Sequence, residues 1–301
     1  MFELEYPTPI DPISLPLFSE KKVEVYMKRE DLIDSEISGN KWRKLKYNLI
    51  EAKAKQYSTI LTFGGAFSNH IAATAAACKS FGFKSIGIIR GDELNAHSNP
   101  TLQQAAANGM DLQFISRKEY QNRNDETWVR ELEEKYQAFV IPEGGTNHLA
   151  LKGVEEIMHE ITEEFDAVLC PVGTGGTLSG IINGLDSHQK AIGISSLKGE
   201  SYLNDMISDL TVTDSSWELI HDYHFGGYAR FDSHLIKFIN QFYLETQIPL
   251  DPVYTGKMMY GLVDMMKNGK FSSGSRLICV HTGGLQGIVG FNRQHKNLLI
   301  T

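Results

Sequence analysis

One lysine of this chain lies in a context that favours chemistry by a neutral amine. Lys41 follows a Ser-Gly-Asn turn where a helical segment begins, and Lys44 lies one helical turn further on. With Arg43 and Lys46 they crowd positive charge, which lowers the pKa of a neighbouring amine. Because only a neutral amine attacks an aldehyde, Lys41 is a candidate Schiff-base lysine. The competing interpretation is a solvated surface cation, the commoner role of a lysine taken alone.

A glycine-rich turn far downstream has the composition of an anion site. It joins a predicted buried strand to a predicted helix and consists of Gly173, Thr174, Gly175, Gly176 and Thr177. Glycines let backbone N–H groups approach an anion closely, and a helix N-terminus attracts negative charge. The pattern is neither GxxxxGK[ST] nor the dinucleotide fingerprint, so a monophosphate fits best, and Lys44 could reach its oxygen atoms.

A reactive amine together with a phosphate cradle predicts pyridoxal 5′-phosphate held as a Schiff base. Two alternatives stay open on the residues alone. The glycines can form a generic turn of an α/β protein, or the chain can be a nucleotide-binding α/β protein with no Schiff base.

The segment 64–70, Gly-Gly-Ala-Phe-Ser-Asn-His, is typical of a turn between a strand and a helix. Ser68 or Asn69 would cap the helix that follows. The same helix end would present N–H donors to an anion such as a substrate carboxylate. The side chain of Asn69 could also donate to a phenolate oxygen. Capping alone is the structural alternative.

Three further side chains are candidates because of their surroundings. Thr282 follows the predicted strand 277–280, and α/β sheets bind ligands at the carboxyl ends of their strands. Tyr228 and Tyr254 occur in turn-rich segments, where most tyrosines pack with the hydroxyl in water. The residues alone therefore indicate a ligand contact for Thr282 and leave the tyrosines undecided.

Composition excludes several classes of protein. The formal net charge of the 301 residues is -8 and the pI is about 5.7, which argues against a nucleic-acid surface. No polybasic membrane patch and no apolar run of about 18 residues occurs, and the first residues lack a secretory pattern. Cys78, Cys170 and Cys279 are isolated, so we expect buried free thiols, a cytoplasmic location and no metal.

Strand-like and helix-like segments alternate along the chain from residue 47. This rhythm predicts an α/β fold with two doubly wound, mostly parallel sheets and a cleft between them. The segment 204–231 is expected to be a loop with interrupted structure. The predicted helices are 47–54, 69–81, 100–108, 124–136, 151–165 and 177–185, and the predicted strands are 59–63, 85–90, 112–115, 139–142, 167–170, 191–195 and 277–280.

Taken together, these motifs resemble the pyridoxal-phosphate-dependent family that contains 1-aminocyclopropane-1-carboxylate deaminase and D-cysteine desulfhydrase, of the tryptophan-synthase-β-like fold type II. The resemblance covers nearly the whole chain and rests on the segments 28–32, 38–41, 64–70, 173–180, 251–257 and 281–284. It implies a large cofactor-binding domain from residues 1–46 and 151–301, a small domain from 47–150, a small amino-acid substrate and a homodimer.

The resemblance also implies roles for the candidate residues. Lys41 would bond to the cofactor and move the proton at the substrate Cα, and Ser68 would lie beside the substrate carboxylate as nucleophile or proton relay. Implied cofactor contacts come from Lys41, Lys44, Asn69 (to O3′), Gly173, Thr174, Gly175, Gly176, Thr177 and Thr282 (to the pyridine nitrogen). Implied substrate contacts come from Ser68, Asn69, His70, Tyr228 and Tyr254, the two tyrosines being counted as catalytic.

Two positions separate the branches of this family. The cyclopropane deaminases resemble this chain up to Tyr254 but carry Glu in place of Thr255, and they carry Leu in place of Thr282. A carboxylate keeps the pyridine nitrogen protonated, whereas a hydroxyl holds it less firmly and suffices for β-elimination. We therefore expect a D-cysteine desulfhydrase-like reaction, with a cyclopropane deaminase and a non-catalytic cofactor-binding protein as alternatives.

The chain also departs from the pattern of both branches at three places. Phe67 replaces the usual glutamine, Trp42 follows the lysine where a smaller residue is common, and 229–231 differs after the tyrosine. We expect these positions to border the substrate pocket.

Overall fold

The computed structural model describes residues 4, 6–199 and 202–300. In chain order the strands are β1 (Ile10–Pro12), β2 (Glu24–Lys28), β3 (Thr59–Gly64), β4 (Lys84–Arg90), β5 (Met110–Ile115), β6 (Phe139–Ile141), β7 (Ala167–Val172), β8 (Lys190–Ser195), β9 (Ser216–Ile220) and β10 (Arg276–Val280). The helices are α1 (Pro16–Lys21), α2 (Asn40–Ala54), α3 (Asn69–Phe81), α4 (Pro100–Ala107), α5 (Glu126–Tyr136), α6 (His148–His159), α7 (Gly176–Asn183), α8 (Tyr202–Leu210), α9 (Ser233–Thr246), α10 (Thr255–Lys267) and α11 (Gln286–Gln294).

The strands form two sheets, as the alternating pattern predicts. One sheet has six strands in the order β1-β2-β10-β7-β8-β9, and the other has four in the order β5-β4-β3-β6. Only the β1–β2 pair is antiparallel among the described strands. Parallel strands need crossover connections, and the helices supply them. No helix in the described ranges has the length and apolar character needed to cross a bilayer.

Helices cover both faces of the large sheet, and strand β10 shows why. Leu277 and Cys279 pack into one apolar cluster with α9 and α10, while Ile278 and Val280 pack into another with α6 and α7. Successive side chains of a strand point to opposite faces, so a strand that is apolar throughout is buried on both sides. All three cysteines are buried free thiols, as expected.

Most predicted elements agree with the structure, and two differ in their bounds. Helix α2 begins at Asn40 rather than at 47, so Lys41 already lies in its first turn. Helix α6 spans His148–His159 rather than 151–165. The segment 204–231 contains most of α8 and all of β9 between loop stretches, which agrees with the expected loop with interrupted structure.

Helix α8 and strand β9 were not predicted individually within this segment, and this has a physical reason. Helix α8 buries only Leu203 and Ile207, one turn apart, so its apolar stripe is narrow. Strand β9 lies at the edge of the six-stranded sheet and is only partly buried, so its sequence lacks a strong apolar run.

A network of buried charges fixes the position of α2. The guanidinium of Arg43 donates to Glu30 at 2.7 and 2.9 Å and to Glu160 at 2.6 and 2.9 Å. Lys28 binds the same Glu160 carboxylate at 2.7 Å, and Thr8 donates to Glu30 at 2.6 Å. Arg43, Glu30 and Lys28 are all completely buried. The network ties α2 to the end of β2 and to the end of α6.

We expect Arg43→Met to destabilise the protein by about 3–5 kcal/mol, because it leaves the Glu30 carboxylate buried without its cation. Urea unfolding measures the loss, and the similar length of methionine limits any cavity. Lys55→Met is the control: its exposed pair with Glu51 on the same helix is worth about 0–1 kcal/mol. Equal midpoints for the two variants would contradict the assignment of the network as the anchor of α2.

Candidate active site

The turns that follow strands β2 and β10 of the six-stranded sheet contact each other. A Cβ atom at Gly39 would overlap the carbonyl oxygen of Thr282, and the Asn40 backbone N–H donates to that oxygen at 3.3 Å. Gly39 has φ of +72°, which favours glycine. The turn that carries Lys41 is therefore packed directly against the end of β10, at the edge where α/β proteins bind ligands.

The amine of Lys41 lies inside this junction. Its Nζ donates to Asn40 Oδ1 at 2.7 Å, and Asn40 Nδ2 donates to Thr177 Oγ1 at 2.6 Å. Asn40 thus links the lysine to the glycine-rich turn. Burial lowers the pKa of Lys41 to about 8, with Cys170 and Asp251 opposing. An amine with this pKa is neutral in a useful fraction of molecules at pH 7 to 8.

The cause of that lowered pKa differs from the sequence prediction. Arg43 points away to Glu30 and Glu160, and Lys46 binds Glu156 at 2.7 Å. Lys41 and Lys44 lie on the same face of α2, one turn apart, but burial is the main cause for both. The expectation that Arg43, Lys44 and Lys46 lower the pKa of Lys41 was wrong: burial lowers it, and the charge of Lys41 instead lowers the pKa of Lys44.

Lys44 reaches the glycine-rich turn, as its position in the helix predicts. Its Nζ lies 3.0 Å from Gly144 O, 3.2 Å from Thr146 Oγ1 and 3.5 Å from Thr174 Oγ1. Burial, and then the charge of Lys41, lowers the pKa of Lys44 to about 7. An anion bound here would favour the charged form of Lys44.

Helix α7 begins at this turn without a capping side chain. Five other helices, α3, α4, α5, α6 and α9, each begin with a residue whose side chain accepts a backbone N–H. The Gly176 N–H donates to Thr174 O at 2.9 Å, so the N–H groups that follow it in the first turn of α7 are the ones available to an anion.

The glycines of the turn are needed sterically. A Cβ at Gly176 would lie 2.7 Å from Thr146 Oγ1, one at Gly173 would lie 3.1 Å from Tyr254 Oη, and Gly175 has φ of +75°. A free helix start, tightly packed glycines and the Lys44 amine fit the phosphate of pyridoxal phosphate, and the Lys41 amine fits its aldehyde.

The start of α3 lies beside the same junction. Ser68 caps the helix by accepting from the Ile71 N–H at 3.3 Å, so its own hydroxyl proton stays available. Asn69 Oδ1 accepts from Gln286 at 3.0 Å, which leaves the Asn69 amide N–H groups to donate elsewhere. A Cβ at Gly284 would lie 2.7 Å from that amide nitrogen. Asn69 is thus held against the turn that contains Thr282.

His70 is buried, and its tautomer follows from its partners. The Thr62 hydroxyl donates to Ile141 O at 2.8 Å, so it must accept from His70 Nε2–H, also at 2.8 Å. His70 Nδ1 then carries a lone pair, and it has no partner among the described residues. Burial, and then the charges of Lys41 and Lys44, lowers the pKa of His70 to about 3. His70 can therefore accept a hydrogen bond at Nδ1 but cannot donate one to a carboxylate.

The two candidate tyrosines form a pair. The rings of Tyr228 and Tyr254 meet edge to face with centroids 6.1 Å apart. Burial raises the pKa of both hydroxyls. Since Tyr254 also contacts Gly173, the pair stands next to the glycine-rich turn.

The two threonines that distinguish the branches differ in their hydrogen bonds. The Thr255 hydroxyl is completely buried, donates to Asp251 Oδ1 at 2.8 Å and accepts from the Asp251 N–H at 2.9 Å. The Thr282 hydroxyl has no hydrogen-bond partner among the described residues. His281 fixes the backbone around it by donating to Pro249 O at 2.7 Å and accepting from Gly283 N–H at 3.2 Å.

One expected pocket residue lies elsewhere, and one contact was missed. Trp42 does not border the pocket, because it is completely buried in an apolar cluster with its ring 5.2 Å from Phe81. Phe67 is 48 % exposed in the turn before α3, as expected of a border residue. Thr146 was not among the expected site residues. The Gly-Gly-Thr at 144–146 repeats the Gly-Gly-Thr of 175–177, and this repeat is the sequence signal for its place in the site.

Comparison with known proteins, like the geometry of the site, indicates pyridoxal phosphate as the cofactor. A family profile described as pyridoxal-phosphate dependent enzyme matches residues 1–283. A Thermotoga maritima protein, named provisionally as a 1-aminocyclopropane-1-carboxylate deaminase, is 33 % identical over 96 % of this chain and 97 % of its own length.

A second relative and a solved structure are similar to nearly the whole of this chain. The mitochondrial bifunctional D-cysteine desulfhydrase/1-aminocyclopropane-1-carboxylate deaminase of Arabidopsis thaliana is 33 % identical over 94 % of this chain and 77 % of its own. The crystal structure of an ACC deaminase homologue superposes with a TM-score of 0.84, at 28 % identity, over 98 % of this chain and 94 % of that one. This chain belongs to the pyridoxal-phosphate-dependent enzymes, in the family of 1-aminocyclopropane-1-carboxylate deaminase and D-cysteine desulfhydrase.

Proposed function

We propose that this enzyme catalyses a D-cysteine desulfhydrase-like β-elimination, which converts a small amino acid with a leaving group at Cβ to pyruvate and ammonia. The observation that carries the proposal is the contrast between two hydroxyls. That of Thr282 is free to take a new partner, whereas that of Thr255 is engaged on both sides by Asp251. A neutral partner at the pyridine nitrogen suits an elimination, which needs only transient stabilisation of charge at Cα.

The residues that would hold the cofactor are those already described at the junction. Lys41 would bind its aldehyde, Lys44 and residues 173–177 its phosphate, Asn69 its O3′ and Thr282 its pyridine nitrogen. When bound, pyridoxal phosphate supplies an electron sink for the electron pair left at the substrate Cα.

Lys41 is the base in this proposal. Its neutral amine removes the proton from Cα, and the group on Cβ leaves with the bonding electrons; for D-cysteine this group is sulfide. The resulting enamine reacts with water to give pyruvate and ammonia. Burial holds the pKa of Lys41 within the range where the amine gains and loses a proton.

The substrate carboxylate is assigned to the start of α3. The first N–H groups of that helix and the Ser68 hydroxyl can all donate to it, since the Ser68 oxygen only accepts within the helix. The Tyr228 and Tyr254 hydroxyls are assigned to the leaving-group side. Because burial raises the pKa of both hydroxyls, they remain protonated and can supply a proton to a departing sulfur or oxygen. His70 would accept a hydrogen bond from a donor rather than bind the carboxylate.

A second candidate is the opening of 1-aminocyclopropane-1-carboxylate to 2-oxobutanoate and ammonia. The name of the Arabidopsis relative includes both activities, so the two are compatible on one framework. Against it stands Thr255, which occupies the position of that branch's glutamate and whose hydroxyl is bound to Asp251 on both sides.

A substrate panel separates these candidates. We expect pyruvate from D-cysteine, β-chloro-D-alanine and D-serine, with sulfide from D-cysteine, and little 2-oxobutanoate from the cyclopropane. The rate with L-cysteine relative to that with D-cysteine measures the stereopreference. Turnover of the cyclopropane alone would reverse the assignment, and a yellow protein that forms no product from any substrate would identify a non-catalytic binder.

Removal of the Thr282 hydroxyl tests its role. We expect Thr282→Val to lower kcat/KM for elimination by about tenfold or more, because the isosteric side chain cannot hydrogen-bond to the ring nitrogen. Thr282→Ser retains the hydroxyl and is the matched control. Equal kcat/KM values for the valine and serine variants would remove Thr282 from the mechanism.

Loss of the Lys41 amine should abolish turnover and leave the fold intact. We expect Lys41→Ala to show no visible absorbance shift and no borohydride-trapped adduct with pyridoxal phosphate, while its far-UV circular dichroism is unchanged. Lys55→Ala, an exposed lysine on the same helix, should behave as wild type. Substantial activity in Lys41→Ala would refute the assignment.

The lowered pKa of Lys41 predicts a particular pH profile in the cofactor-free protein. Reductive methylation of Lys41 should rise about tenfold per pH unit below 8 and level off above it, because the pKa is lowered to about 8 and only the neutral amine reacts. Peptide mass spectrometry gives the extent of labelling, with the exposed Lys55 in the same digest as the reagent reference. A Lys41 profile still rising steeply at pH 10 would contradict the lowered pKa.

A further inference from the structure

Lys257 is a completely buried cation that the proposed reaction does not use. Its Nζ lies 2.8 Å from the carbonyl oxygen of His224, 2.8 Å from that of Gly227 and 3.5 Å from that of Ser196. No carboxylate in the described part of the chain forms an ion pair with it. The amine is therefore held by a cage of three backbone carbonyl oxygens.

This position is unfavourable for a cation unless the cage offsets the cost. Lys257 is the third residue of α10, where the helix dipole repels positive charge, and burial removes its hydration. Burial lowers the pKa of Lys257 to about 8, with Asp251 opposing, so the amine is mostly charged at pH 7. Carbonyl oxygens at hydrogen-bond distance replace the lost water, as they do around bound monovalent cations.

The cage is built by an unusual stretch of backbone. The segment 221–232, which we call the Tyr228 loop, follows β9 and contains no helix or strand. Four of its residues have positive φ: Phe225 (+52°), Gly226 (+94°), Gly227 (+118°) and Ala229 (+53°). The non-glycine members of this set adopt that conformation at a cost. The curled backbone turns the carbonyls of His224 and Gly227 inward to the same amine.

The caged amine is close in the fold to the tyrosine pair. Tyr228 is flanked by Gly227, whose carbonyl binds Lys257, and by Ala229 with its positive φ. Tyr254, three residues before Lys257 at the start of α10, meets the Tyr228 ring edge to face. Helix α10 thus holds the middle of the Tyr228 loop by the Lys257 charge and the Tyr254 ring, and it holds the start of the loop through Asp264, which accepts from the Tyr223 hydroxyl at 2.9 Å.

We propose that Lys257 is a positioning residue whose ammonium group acts as a tethered monovalent cation, organising the Tyr228 loop and so placing the Tyr228 hydroxyl. The loop-ordering part stands on the cage geometry alone, and its effect on turnover rests on the proposed function of Tyr228. It follows that a free cation of similar size can replace the ammonium group once the side chain is removed.

Hydrogen exchange in the holoenzyme tests the loop without reference to activity. In Lys257→Ala we expect amide exchange in 221–232 to rise about tenfold or more, and exchange in β7 and β8 to stay unchanged. Ammonium, methylammonium or potassium should restore protection, whereas tetramethylammonium at equal ionic strength is too large for the cage. Lys267→Ala, an exposed lysine at the far end of the same helix, should leave the loop at wild-type protection.

A second variant separates the effect of the cavity left by truncation from the effect of the lost charge. Lys257→Met fills the space of the lysine's aliphatic chain but carries no charge, so we expect a mobile Tyr228 loop that no added cation protects. If Lys257→Ala does not fold, Lys257→Met decides the question by the same exchange measurement. Wild-type loop protection in the methionine variant, or equal protection of the alanine variant in potassium and tetramethylammonium, would overturn the proposal.

Turnover gives an independent comparison with whichever substrate the enzyme accepts. We expect kcat of Lys257→Ala to fall about tenfold with KM little changed, and methylammonium to recover it, because the loop places a proton donor rather than the substrate carboxylate. Cation-dependent loop protection without any activity in the wild type would uphold the cage and reject the proposed reaction. Cation rescue of protection without rescue of kcat would show that the loop does not place Tyr228 for catalysis.

Discussion

The structure depends on a buried ion pair between Arg43 and Glu30, which Glu160 and Lys28 extend. Arg43 lies two residues after Lys41, on another face of the same helix turn. Any shift of α2 along or around its axis would break the bidentate contacts of Arg43 and would also move the reactive amine. Burying an ion pair costs free energy, but removing one partner costs more because the other charge is left buried and unpaired. The network therefore fixes the position of the site.

The second constraint is the close approach of glycine backbones to neighbouring segments, which leaves no space for a side chain at these positions. Gly39 lies against Thr282, Gly173 against Tyr254 and Gly176 against Thr146. Each contact joins segments that are far apart in the chain, so the base of the site is closed by tightly packed backbone and polar side chains. This arrangement excludes bulk water around Lys41 and Lys44, and that exclusion is the reason both pKa values are lowered.

Local sequence signals predicted the elements whose structure is decided locally. The cap at Ser68 and the alanine-rich run after it gave α3 its observed limits, and the glycines of 173–177 indicated an anion site. Features that depend on distant contacts could not be predicted in this way. The direction of Arg43, the burial of Trp42 against Phe81 and the carbonyl cage around Lys257 arise from packing between segments up to 117 residues apart. No periodicity in the sequence encodes such contacts.

The uncapped start of α7 has a consequence for the whole protein. N–H groups of its first turn that have no capping side chain gain an acceptor from a bound anion, so in the proposed site the cofactor phosphate would complete this helix from outside the chain. Ligand that binds only the native state shifts the unfolding equilibrium by mass action. Cofactor supply is thereby linked to the lifetime of the folded protein as well as to its activity, and a shortage of the vitamin would reduce the amount of enzyme along with its turnover.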